Sequence, residues 1–168
     1  DRQDVLNCGF LLFVAGLDTV TSTMTFIWRH LARNERVRHE LITMLDDRER
    51  LSTAVEELLR VHSVANIYRR VKKDMVYRGI TMKENDRVVL PCSVANRNES
   101  VFEHADVIDL HREINNHLTF GAGPHRCVGS HLAKTEVTIA LQEWLRRIPD
   151  FSIATGALIQ GHLGPTMG

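Results

Sequence analysis

From Asp4 to Arg33 the chain carries no proline, and its apolar residues do not keep to one face. Such a stretch reads as one long helix. A helix apolar on most sides is buried against several neighbours, so it implies a larger body than an amphipathic surface helix needs. The longest uncharged run inside it, Val5 to Leu17, is too short to span a bilayer. A chain of 168 residues suits one modest domain or a piece of a larger one, and 43% hydrophobic with 25% charged residues argues against disorder. The 21 basic and 21 acidic residues cancel, so no overall field points to nucleic acid or to an anionic membrane. Cys8, Cys92 and Cys127 are odd in number and far apart, which favours a reducing cytoplasm over a secreted disulfide framework. The opening Asp1-Arg2-Gln3-Asp4 lacks the basic start of a signal peptide.

The remaining pattern is helical with small strands. Asn34 reads as an N-cap for a short amphipathic helix carrying Val37, Leu41, Ile42 and Leu45. Thr53-Ala54-Val55-Glu56 fits a capping box, with a helix running to about His62. From Ile67 the period changes. Tyr68 to Val71 and Met75 to Tyr77 read as a hairpin, with Gly79 in the turn to the next segment. Asn85-Asp86 is a turn, and Arg87 to Leu90 a strand ending at Pro91. Asn96 to Asn116 is polar and irregular, a length that in a compact domain is functional or wraps around something. Val128 or Gly129 opens a helix carrying Leu132, Val137, Ala140, Leu141 and Trp144, which ends before Pro149.

The segment Phe120-Gly121-Ala122-Gly123-Pro124-His125-Arg126-Cys127-Val128-Gly129 places a cysteine in a tight loop directly before a helix. Glycines allow positive φ and close backbone approach. The helix N-terminus, with Arg126 and His125 nearby, favours a thiolate at Cys127. A thiolate there serves as a nucleophile or a metal ligand; a plain buried cysteine is the structural alternative.

All fixed positions of this loop match the heme-binding signature of the cytochrome P-450 family, which the chain therefore resembles. The resemblance implies Cys127 as the axial thiolate and metal ligand of heme b (iron protoporphyrin IX). It implies that Phe120, Gly121, Gly123 and Gly129 shape the proximal side, and that His125 bonds a propionate. Three further segments carry it. Glu57 and Arg60, three apart on a helix, match the family's Glu-x-x-Arg pair, joined by Arg112 in a buried ion network. Ala15-Gly16-Leu17-Asp18-Thr19 matches the distal-helix motif, with Gly16 making room for O2 and Asp18 and Thr19 delivering protons to it. A mid-helix glycine costs about 1 kcal/mol against alanine, so it calls for a reason; read alone, the segment is a helix kink with local side-chain bonds. Arg69 matches the second propionate ligand.

Gly16 to Val20, Glu56 to Arg60 and Glu143 to Ile153 are similar to the bacterial camphor-hydroxylating type. On that match Leu11, Val14, Val64 and Thr166 line the substrate pocket, while Asn66 and Tyr68 replace an aspartate and a glycine, which points away from camphor itself. The implied fold is mainly α with small β-sheets: a single partial domain over 1–168, the C-terminal part of the P-450 fold. It comprises the distal I helix, the J and K helices, a β hairpin, the meander, the cysteine loop and the L helix, with the N-terminal portion and the final strand absent. The implied function is a heme-thiolate monooxygenase using O2 on a small apolar, terpenoid-like substrate. Its electrons come from a two-iron ferredoxin with its flavin reductase, which Arg126 and Lys134 would meet. The alternatives are a thiol-dependent hydrolase using Cys127 with His125 or His131, and an inactive fragment or heme-binding module. Taken alone, the chain is expected to fold poorly and bind heme weakly, with apolar faces exposed.

Overall fold

The computed structural model describes residues 1–160. Thr166, expected in the substrate pocket, lies outside the described residues. The first helix, α1 (Arg2–Arg33), opens with a capping box: the Asp1 carboxylate accepts the Asp4 N–H at 2.9 Å, and the Asp4 carboxylate accepts from the Asp1 amine at 2.9 Å. Only its C-terminal half is packed, through Ser22, Thr23, Ile27 and Leu31. Phe10, Leu11 and Phe13 remain 66–70% exposed, although the sequence is apolar around the helix. Taken whole, α1 is long and apolar enough to cross a membrane by length and composition, which corrects the estimate from its uncharged run; the core helix of a soluble protein meets the same criterion.

Helix α2 (Glu35–Ile42) follows at once, flanked by Asn34, whose side chain bonds back to His30 C=O instead of capping. Helix α3 (Arg48–Val61) begins earlier than Thr53, because the Asp47 carboxylate accepts the Glu49 and Arg50 N–H groups, both at 3.1 Å. Thr53 therefore sits inside the helix. Helix α5 (Ser130–Arg147) packs on α3 and on the end of α1. The core lies among these four helices, with Ile27, Leu31, Leu41, Leu51, Leu58, Val137, Leu141 and Leu145 buried. Trp28 and Trp144 pack at 5.2 Å between ring centroids, and Phe151 meets both edge-on.

The sheets differ from the expected hairpin. Strand β1 (Asn66–Arg70) pairs antiparallel with β4 (Arg87–Pro91), in a register that sets Ile67 opposite Leu90 and Arg70 opposite Arg87. Strands β2 (Met75–Tyr77) and β3 (Ile80–Met82) form their own hairpin inside that outer ladder. Its two-residue turn, Arg78 at φ 50° and Gly79 at φ 82°, has the positive φ pair that suits strand twist. The outer ladder extends through Val71, which bonds Asp86 C=O and the Asn85 N–H, both at 2.9 Å. Pro91 leads into a short helix, α4 (Cys92–Ala95), which the pattern alone did not suggest. The segment from Asn96 to Leu118 then wraps over α3 without a helix or strand.

Candidate functional site

The cysteine loop is built from backbone. Gly121 and Gly123 both stand at φ 69°, a region side chains rarely occupy. A 3-10 turn spans Gly123–His125, and the Arg126 N–H closes it on Gly123 C=O at 3.0 Å. The Cys127 N–H then donates to Phe120 C=O at 2.8 Å, joining the loop's two ends. A side chain on Gly121 would meet Ile67 Cδ1 at 3.5 Å, and one on Gly129 would stand 3.8 Å from Cys127 Sγ. Gly129 is the N-cap of α5 without any side-chain cap bond, so the helix presents its open N–H end beside the cysteine. Cys127, His125 and Arg126 are exposed, as are Val128 and Leu132. Among the described residues neither His125 nor His131 hydrogen-bonds to Cys127 Sγ, and no disulfide forms.

Beneath the loop lies a buried ion network. Arg60 grips Glu57 bidentately, both bonds at 2.8 Å, and neither side chain has exposed surface. Arg112 Nε adds a bond to Glu57 at 3.1 Å, Asn115 one at 3.0 Å, and the Asp109 N–H another at 3.0 Å. Burial opposes the Glu57 charge, yet these donors outweigh it and hold the carboxyl below its ordinary range. Arg60 also donates to the carbonyls of Asn96, Ala105 and Val107, so one guanidinium fastens the irregular segment to α3. The structure thus brings Glu57, Arg60 and Arg112 together.

A second set was not foreseen. His117 Nε2 bonds Glu56 at 2.9 Å, and Lys134 pairs with the same carboxylate. Burial opposes the Glu56 charge, but His117 and Lys134 lower its pKa. Lys134, expected at a partner surface, is paired inside the chain with Glu56, with its ammonium 5.6 Å from the Phe120 ring centroid. Arg126 remains exposed.

On α1 the Ala15–Thr19 segment is unbroken α-helix. Thr19 Oγ1 donates to Ala15 C=O at 2.7 Å. A side chain at Gly16 would meet nothing within 4 Å, so no neighbour in the described chain demands glycine there. Asp18 is exposed and Thr19 half-buried. Leu11 and Val14 are exposed, whereas Val64 is buried at 3%. Arg69 is exposed on β1 and donates to Tyr68 C=O at 2.9 Å.

The family model for cytochrome P450 matches residues 1–151. The chain belongs to the cytochrome P450 family. It is 43% identical to "Probable cytochrome P450 127A1" of Sinorhizobium fredii over 99% of its own length and 40% of that protein's. It is 32% identical to the "Vitamin D3 dihydroxylase" of Streptomyces griseolus over 92% of its length and 38% of the relative's. The crystal structure of CYP109E1 from Bacillus megaterium in complex with testosterone superposes with a TM-score of 0.87 at 27% identity, over 99% of this chain and 46% of that one. The chain thus spans about two fifths of the curated P450s it matches.

P450s carry heme b and use O2. The residues present fit that group. A cysteine thiol stands exposed on a backbone-built loop at a helix N-terminus, apolar Val128 flanks it, and exposed His125 and Arg69 carry N–H donors for carboxylates.

Proposed function

We propose that this chain supplies the proximal ligand and the distal helix of a soluble heme-thiolate monooxygenase. That enzyme inserts one atom of O2 into a C–H bond of a small apolar, terpenoid-like substrate. The observation that carries the reading is the exposed Cys127, held by the bond from its own N–H to Phe120 C=O. Bound there, the heme would activate O2 reductively, with thiolate donation favouring O–O cleavage.

The chain's own residues do the rest. The open N–H end of α5 and the loop backbone stabilise negative charge on the Cys127 sulfur. Phe120, anchored over Lys134, packs beside the loop, and Gly121 and Gly123 let the backbone pass close beneath a flat group. His125 and Arg69 hold propionates. Gly16, where a side chain would meet no neighbour, would leave room for O2. Thr19 holds a proton on Oγ1 and releases it by breaking its bond to Ala15 C=O; Asp18 re-supplies it.

Leu11 and Val14 present apolar surface to the substrate; Val64, being buried, acts as backing. The names of the vitamin D3 and testosterone relatives support an apolar polycyclic or terpenoid-like substrate. Arg126 would meet an acidic two-iron ferredoxin, served by a flavin reductase, in the cytoplasm. The test is coupling in the full-length protein. Thr19→Ala is expected to keep consuming O2 and reductant while product falls, and Thr19→Ser to restore it. Intact coupling in Thr19→Ala contradicts the proton-delivery role.

A further inference from the structure

Asn96 is fully buried and every polar atom of its side chain is engaged. Its Oδ1 accepts the Leu118 N–H at 2.7 Å. Its Nδ2 donates to Thr119 Oγ1 at 3.0 Å and to Arg60 C=O at 3.2 Å. Its own C=O accepts from Arg60 Nη1 at 2.6 Å. Thr119 Oγ1 in turn donates to Leu59 C=O at 2.9 Å. One amide side chain therefore connects the buried end of α3 to the two residues that precede Phe120. The Phe120 carbonyl is the acceptor for the Cys127 N–H.

We propose that Asn96 is a positioning residue for the thiolate. It transmits the Glu57–Arg60 anchor to Leu118 and Thr119, fixes the Phe120 carbonyl, and so sets the place of Cys127. The inference rests on the reading of Cys127 as the heme sulfur ligand. A buried amide suits the task because it pairs two donors and an acceptor in one plane without adding a charge beside Arg60. Asn96 touches neither the sulfur nor any reacting atom in this arrangement; it acts through the backbone.

The test uses the full-length, heme-loaded protein that carries this chain. In Asn96→Ala the Leu118 and Cys127 amides are expected to exchange hydrogen about five- to tenfold faster, the effect of losing one net hydrogen bond. The Leu141 and Leu145 amides in α5 should not change. The reduced carbon monoxide complex should move part of its Soret absorption from the red-shifted thiolate position to the shorter wavelength of a neutral thiol. Thr119→Val, which removes only the hydroxyl, should shift both readouts in the same direction by less, and serves alone if Asn96→Ala does not accumulate. Unchanged Cys127 exchange and an unchanged spectrum in the folded variant overturn the proposal. So does faster exchange spread equally through α5, which marks general loss of stability. A wild-type protein without the thiolate band overturns the heme reading instead, and the exchange rates then decide whether Asn96 positions the loop.

Discussion

Glu57 accepts from Arg60, Arg112, Asn115 and the Asp109 N–H while its side chain has no exposed surface. Removing one member strands the others' charge where water cannot reach it. Glu57→Ala is therefore expected to cost about 3–5 kcal/mol, read by denaturant unfolding of the full-length protein. A loss below about 1 kcal/mol, the range of an exposed pair, contradicts the buried-network account. His62 titrates in the opposite sense to a paired histidine. Burial first, then His30, Arg97 and Arg29, push its pKa down to about 3. The His30 ring lies 5.2 Å away, its own pKa lowered by burial and Arg97. The native state thus refuses a proton that the unfolded chain takes up below its ordinary value of 6.5. Stability is full above that pH and falls progressively from about 6.5 toward 3. His62→Phe should flatten the unfolding midpoint against pH across that window; an unchanged slope contradicts the assignment. The Glu57–Arg60 pair was legible because an acid and a base three apart on a helix face each other. Asn96 and His117 were not, since their partners lie far away in sequence and each is an ordinary loop polar residue by itself.

At the scale of elements, α1 followed from its long proline-free apolar stretch, and α2 and α5 from apolar period and proline placement. Three of the four strands followed as well, but their pairing did not. Alternation makes β1 a strand but does not say with which strand it pairs: β4 takes that place, while β2 and β3 pair with each other across the two-residue turn at Arg78-Gly79. Gly79→Val should therefore loosen the β2–β3 hairpin through its positive φ, at about 1–2 kcal/mol, with little effect on the β1–β4 ladder. Amide exchange resolves the two: equal loss of protection in both ladders contradicts their independence. The start of α3 was misplaced because Thr53-Glu56 has the spacing of a capping box, while Asp47 was already in place to cap the longer helix.

The whole molecule has an asymmetric design. Its core joins the end of α1 to α2, α3 and α5, whereas the first half of α1 carries Phe10, Leu11, Leu12 and Phe13 at 62–70% exposure. The Gly16-Asp18-Thr19 segment follows directly on this unpacked stretch, and apolar surface so extensive calls for cover. The 168-residue chain alone is thus expected to bind an apolar dye and to hold heme more weakly than the full-length protein. Equal heme affinity would show that the rest of the protein is not needed for the pocket. The claim on which the account depends is the bond between Cys127 and heme iron. The reduced carbon monoxide difference spectrum of the full-length protein tests it directly. The account predicts the red-shifted thiolate Soret band, abolished in Cys127→Ser. A band that is absent from the wild type, or that survives in Cys127→Ser, contradicts it.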